Sequence, residues 1–137
     1  MKLSARNQFA GTVSAVKEGA VNGIVTIDVK GTSVTATISM AAIKELGLEA
    51  SKAAVAIVKA TEVMVGVGSL TLSARNQFPG KVVSVTKGAV NDIVKIDTAI
   101  GTVTATISDS AVSDLGLAEG KDAVAVIKAT SVMVGVE

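Results

Sequence analysis

Ser4-Ala5-Arg6-Asn7-Gln8-Phe9-Ala10-Gly11 returns 69 residues later as Ser73-Ala74-Arg75-Asn76-Gln77-Phe78-Pro79-Gly80, with one position changed. Working outward from this pair, residues 3–67 align with 72–136 without a gap, and 40 of the 65 pairs are identical. The chain is one unit written twice. Each copy therefore reports on the other: positions that have drifted are loosely constrained, and positions that agree are candidates for a shared demand.

Most charged positions have drifted. Lys17 stands opposite Thr86, Glu18 opposite Lys87, Lys30 opposite Ala99, Lys44 opposite Ser113 and Glu62 opposite Ser131. Arg6/Arg75, Asp28/Asp97, Lys52/Lys121 and Lys59/Lys128 survive. The uncharged polar survivors include Ser4/Ser73, Asn7/Asn76, Gln8/Gln77, Asn22/Asn91 and Thr61/Thr130. An ordinary solvated surface does not hold arginine and lysine while its other charges vanish or change sign. The retained groups are mostly donors (guanidinium, ammonium, hydroxyl and amide), a set suited to a small oxyanion. Recent duplication is the competing explanation.

Composition narrows the class. With 137 residues in two units, each has about 65 residues, near the lower limit for a self-sufficient core. There is no Cys and no His, so disulfides, thiolate sites and the commonest other metal ligand are absent from the sequence. Apolar residues make up 49%, nearly all aliphatic, with Phe9 and Phe78 the only aromatics. Small units this apolar are expected to bury surface against each other in an oligomer. The longest uncharged run, residues 31–43, is too short and too rich in Thr, Ser and Gly to cross a bilayer. The repeat begins at Leu3, so no signal peptide and a cytoplasmic location are expected. A net charge of +1 and the near absence of aromatics argue against a nucleic-acid surface.

Along the chain, residues 12–16 read as the remainder of a first strand, with Gly11 permitting a bulge or close packing. Residues 18–23 and 87–92 are turns. Residues 24–30 alternate, with Val25, Ile27 and Val29 on one face, residues 31–33 form a hairpin loop, and Val34, Ala36 and Ile38 continue the apolar face. Ser39 and Ser108 are N-caps for short helices over 40–46 and 109–115, ended by Gly47 and Gly116. Two closing strands come next in each copy, with Thr61 at the corner of the first pair. The fold class is mainly β: two tandem small OB-like β-barrels, each with one short helix. The expected domains are residues 1–67 and 72–137, joined by a short linker at 68–71.

Ser-Ala-Arg-Asn-Gln-Phe-x-Gly, Gly-Ala-Val-Asn, Leu-Gly-Leu and Lys-Ala-Thr-x-Val-Met-Val-Gly, each present twice, resemble the molbindin family, the Mop/TOBE-type domains that bind molybdate. The resemblance covers nearly the whole chain, in tandem form. It implies a cytoplasmic molybdate or tungstate binder for storage and homeostasis, assembled as a homotrimer of six Mop folds with the oxyanion held between subunits. The metal would enter as the oxyanion, with no side chain coordinating it directly and no organic cofactor. One kind of site would draw on Ser4, Ala5, Arg6, Asn7, Lys59, Ala60 and Thr61. Its second-copy equivalents are Ser73, Ala74, Arg75, Asn76, Lys128, Ala129 and Thr130. Another would use the turns Gly19, Ala20, Val21, Asn22 and Gly88, Ala89, Val90, Asn91. Pro79 in place of Ala10 removes one backbone donor from the second copy.

Blander readings stand beside these. Arg6 could pair with Asp28 as a structural salt bridge, Lys59 could cap a carbonyl, and the Gly-Ala-Val-Asn segments could be turns and nothing more. Lys52 and Lys121 are read as solvated and lie outside the site. An enzyme is not expected, because the sequence offers no carboxylate pair, nucleophile elbow or metal-ligand cluster. No nucleic-acid or membrane partner is expected. The alternative function is a regulatory or scaffolding oligomer whose oxyanion-bound state is read by a partner protein.

Overall fold

In the computed structural model, which describes residues 2–137, the first copy runs β1 (Asn7–Lys17), β2 (Asn22–Val29), β3 (Thr32–Ser39), α1 (Met40–Leu46) and β4 (Ala53–Val58). A 3₁₀ turn (Ala60–Glu62) and a three-residue strand, β5 (Met64–Gly66), complete it. The second copy repeats the series as β6 (Asn76–Thr86), β7 (Asn91–Thr98), β8 (Gly101–Ser108), α2 (Asp109–Leu115) and β9 (Asp122–Ile127). It closes with a 3₁₀ turn (Ala129–Ser131) and β10 (Met133–Gly135).

The molecule divides into two compact units. The first holds the described residues through Val58 together with Lys128–Glu137, and the second holds Lys59–Ile127. The five-stranded antiparallel sheet of the first unit has the order β10-β4-β1-β2-β3, and that of the second β5-β9-β6-β7-β8. Each closing strand thus completes the sheet of the other copy. Met133 pairs with Ile57 and Gly135 with Val55, while Met64 pairs with Val126 and Gly66 with Val124. The sequence reading, in which each copy keeps its own closing strand, does not anticipate this exchange. The two receiving edges, Val55-Ala56-Ile57 and Val124-Ala125-Val126, are nearly the same, so side-chain pattern alone cannot tell them apart. The compact units and the repeat boundaries consequently divide the chain differently.

The core of each unit is aliphatic because the strands alternate. In the first unit Val13, Val25, Ile27, Val34, Ala36 and Ala56 are essentially inaccessible. Val132 and Val63, carried by the exchanged segments, are each 2% exposed in the unit that receives them. The Ala129–Ser131 turn lies against β3, so the two edges of the first sheet approach each other as in a partly closed barrel.

Gly11 is where β1 passes closest to β2: a Cβ there would collide with the Asp28 carbonyl, and Gly80 meets Asp97 in the same way. The bulge lies further on, where the β1–β2 register shifts between Val13 and Ala15; the Ser14 hydroxyl there donates to the Thr26 carbonyl at 3.2 Å. The first hairpin turns on Lys30 and Gly31, both with positive φ (52° and 85°), as a type I′ turn requires. Thr32 and Ser33 belong to β3 rather than to the loop. The second hairpin instead uses the Thr98 hydroxyl, which donates to the Gly101 carbonyl at 2.8 Å, and buries Ile100 to 1%. Ile100 thereby compensates for the loss of buried Val29 at position 98.

Both helices begin and end where the sequence indicates. Ser39 and Ser108 accept hydrogen bonds from Ala42 N–H and Ala111 N–H at 3.1 Å, and Gly47 and Gly116 adopt left-handed conformations. Lys52 is not simply solvated: its Nζ donates to the Leu46 carbonyl at 2.8 Å and covers the C-terminus of α1.

Candidate functional site

The first signature motif straddles the start of β1. Ser4 and Arg6 are exposed, Ala5 is half-buried, and Asn7 enters the strand 1% exposed. Ser73, Ala74, Arg75 and Asn76 repeat the pattern at the start of β6. Gln8 holds this entrance in shape. Its Nε2 donates to the Ala5 carbonyl at 2.9 Å and the Leu3 carbonyl at 3.3 Å; Gln77 does the same to Ala74 and Leu72 at 3.0 and 3.3 Å. Each glutamine therefore occupies two carbonyl acceptors of its entrance.

The side chains of Arg6 and Arg75 make no ion pair and no hydrogen bond among the described residues, and neither do those of Asp28 and Asp97. A structural Arg6–Asp28 salt bridge is thus not present. Lys59 and Lys128 are exposed at the N-terminal boundary of the 3₁₀ turns and make no side-chain capping bond. Lys52 is spent on a carbonyl, Lys81 on Asp122 at 2.7 Å, and Lys87 on Asp92 and Asp109, whereas Lys121, the counterpart of Lys52, is exposed and makes no such bond. The Lys81 ammonium holds the Asp122 carboxyl below its ordinary range by hydrogen bonding and charge. The two lysines and two arginines that both copies keep in the signature motifs are left available.

The 3₁₀ turn explains why Lys-Ala-Thr recurs as a block. It closes with Glu62 N–H to Lys59 O (2.9 Å) and Val63 N–H to Ala60 O (3.3 Å), leaving the N–H groups of Ala60 and Thr61 without an i−3 acceptor inside the turn. The second copy closes identically through Ser131 and Val132. Thr61 and Thr130 are exposed, Ala60 is half-buried and Ala129 is buried.

These motifs are distributed in a way the sequence does not indicate. The pairing of Asn7 with Val58 sets the ends of β1 and β4 opposite each other, and Lys59 directly follows Val58. The chain leaves the first unit at that point. The first unit therefore contains Ser4, Ala5, Arg6 and Asn7 with Lys128, Ala129 and Thr130; the second contains Ser73, Ala74, Arg75 and Asn76 with Lys59, Ala60 and Thr61. In each unit the two motifs come from opposite copies.

The Gly-Ala-Val-Asn turns lie elsewhere, at the β1–β2 and β6–β7 connections. Gly19, Ala20, Val21 and Asn22, and Gly88, Ala89, Val90 and Asn91, are all exposed; Val21 and Val90 are each 74% exposed. A Cβ at Gly19 or Gly88 would collide with the carbonyl of Asn22 or Asn91, so each turn requires its glycine. Two open cavities, of about 400 and 540 Å³, lie at equivalent places beside Gly11 and Gly80 and include none of the expected ligand residues. No group of three or more His, Cys, Asp or Glu that could hold a metal ion occurs among the described residues. No helix among them is long and apolar enough to cross a membrane. Asn7 and Asn76 are engaged inside the protein, so their retention has a structural cause as well. Gln8 and Gln77 are the residues that the site reading passed over; their identity in both copies within the signature was the available signal.

The fold and its exposed donor clusters define a tandem of small β-barrel binding modules. The chain belongs to the TOBE-domain family, whose profile matches residues 3–65 and 72–134, and within it to the tandem, molbindin-type members. It is 40% identical over 141 residues to the molybdenum transport protein ModE of Herbaspirillum seropedicae, covering 100% of this chain and 52% of that protein. It is also 57% identical over 68 residues to a probable molybdenum-pterin-binding protein of Haemophilus influenzae, covering 49% of this chain and 99% of that one. The chain thus spans about half the length of ModE, whereas the Haemophilus protein matches a single copy. Among solved structures, it superposes on the cytoplasmic molybdate-binding protein ModG, in a form with molybdate bound. The TM-score is 0.96 at 43% identity, over 100% of both chains.

Proposed function

We propose that this protein binds molybdate or tungstate as the intact oxyanion and serves intracellular molybdenum storage and homeostasis in the cytoplasm. The observation that carries the reading is the exposed, unpaired state of Arg6, Arg75, Lys59 and Lys128, which both copies retain within the signature motifs. The likeness to ModG over the full length of both chains supports it. The role is binding rather than catalysis.

Molybdate is a tetrahedral dianion with no proton to donate at neutral pH, so its site should offer donors and exclude carboxylates. Arg6 and Arg75 can each fork two N–H groups onto two oxygens, and Lys59 and Lys128 add mobile point charges. The hydroxyls of Ser4, Thr61, Ser73 and Thr130 and the N–H groups of the 3₁₀ turns complete the shell. Asn7 and Asn76 support it from beneath, and the two Gly-Ala-Val-Asn turns supply a second kind of site. Site radius then separates molybdate and tungstate from the smaller sulfate. Each charge-assisted hydrogen bond contributes about 1.5–3 kcal/mol net, so a handful supports micromolar binding after association costs.

The anion sits between subunits of a homotrimer in this reading. Bound there, it neutralises cations that otherwise repel across the interface and stabilises the assembly by mass action. Calorimetric titration with molybdate, with sulfate as control, tests the proposal. Tight molybdate binding, a weak sulfate response and a rise in melting temperature with ligand are expected. Absence of both heat and thermal shift with molybdate refutes it.

A further inference from the structure

The two Gly-Ala-Val-Asn turns are identical in sequence but lead into different residues: Asn22 precedes Gly23, and Asn91 precedes Asp92. The Asp92 side chain is fully buried, its Oδ1 accepts the Gly88 N–H at 2.9 Å, and its Oδ2 has no hydrogen-bond partner. Lys87 Nζ lies 3.4 Å from that Oδ2 and 3.0 Å from Asp109 Oδ1. The first turn has no counterpart to this arrangement. At Gly23 a Cβ would run into Ile43 Cδ1 and Met40 Sδ, so a side chain there requires both neighbours to move. In the second copy those two neighbours have become Val112 and Asp109, and Glu18 has become Lys87. Four positions have changed together, and the result is a carboxylate seated in the second turn.

We propose that Asp92 acts as a built-in anion that occupies the donor side of the second turn and closes it to oxyanions, leaving the first turn as the one of the pair that takes ligand. The inference rests on the oxyanion reading above. The Gly88 N–H, one of the backbone donors of this turn, already serves a carboxylate. The groups around it, Lys87, Asp92 and Asp109, sum to one negative charge, whereas Lys17 and Glu18 with Gly23 and Met40 sum to zero. An incoming dianion at the second turn must therefore displace an internal acceptor and approach a net negative cluster. The duplicated turn thus yields two unequal sites.

Site-resolved NMR titration of the full chain with sodium molybdate tests this, using wild type, Asp92→Ala and Asp92→Gly. The Ala variant keeps the Cβ and removes both the charge and the acceptor, so it remains informative if the Gly variant folds poorly. In wild type, molybdate should shift the Gly19 amide and leave the Gly88 amide in place. In the variants the Gly88 amide should respond as well, with at least tenfold tighter binding at that turn and a higher calorimetric stoichiometry. A wild-type Gly88 amide that moves together with Gly19, or a Gly88 amide still unresponsive in the folded Ala variant, overturns the inference alone. A wild-type chain that shows neither heat nor amide shifts with molybdate refutes the oxyanion reading, and the inference with it.

Discussion

Replacing Val132 with alanine should destabilise the first compact unit and spare the second, although Val132 belongs by sequence to the second copy. The side chain is 2% exposed and lies one residue before β10, which pairs with β4 from Met133–Ile57 to Gly135–Val55. Trimming valine to alanine removes two carbons from a buried position, about 0.8 kcal/mol each in transfer, and the unfilled space raises the cost to about 2–3 kcal/mol. A unit of some 70 residues has a stability of about 3–10 kcal/mol, so the loss is a large fraction of the whole. Native-state hydrogen exchange reads this directly. Amides of β1, β2 and β4 that open with the unit should exchange about 30- to 150-fold faster, while those of β6, β7 and β9 keep their rates. The mirror variant, Val63→Ala, should reverse the pattern. Faster exchange confined to β6–β9 in Val132→Ala would show that each copy closes on its own strand, and the exchange of closing segments would be wrong.

Three further outcomes are expected. Arg6→Ala and Arg75→Ala should each weaken molybdate binding about ten- to a hundredfold by calorimetry, the loss of one bidentate charge-assisted contact. The melting temperature without ligand should hold, because neither arginine pairs inside the protein. Gln8→Ala frees the Ala5 and Leu3 carbonyls and should weaken binding by a smaller factor than Arg6→Ala, with faster amide exchange at the start of β1. Stability should also depend on pH at both ends. The Gly88 hydrogen bond, with help from Lys87, holds the Asp92 carboxyl below its ordinary range, so its contribution is present above that range and lost as pH falls through the depressed value. Lys87 is raised, chiefly by its hydrogen bond to Asp109, so its contribution persists through neutral pH and is lost as pH rises past the elevated value. Melting curves of wild type against Asp92→Asn check the acid limb, which should flatten in the variant.

Much of the local structure was legible in the sequence because it depends on neighbours in the chain. Ser39 and Gly47 bracket α1, and Ser108 and Gly116 bracket α2, since capping needs only a side chain and a backbone group three or four residues away. The alternation of residues 24–30 marks the buried face of β2 because a strand exposes every second side chain to the core. Arg6 and Lys59 stand out in the sequence itself, because both copies retain these donors while most other charges drift.

Sequence alone determined that the chain is a duplicated β-barrel module, where its helices begin and end, and which donors both copies keep. Tertiary structure decided the rest. Which edge receives Met64–Gly66 and Met133–Gly135 depends on how the chain leaves Val58 and Ile127, and two near-identical edges give the pattern nothing to distinguish. Whether Arg6 is paired or free depends on groups remote in sequence, and whether Lys52 is solvated or capping α1 depends on how the short loop after Leu46 folds back. The difference between the two Gly-Ala-Val-Asn turns is of the same kind. The Asp at position 92 can be read from the sequence, but its burial and its hold on Gly88 are seen only in the folded chain. Periodicity and capping are short-range physics that a sequence carries; the choice among equivalent partners is made only when the whole chain is packed.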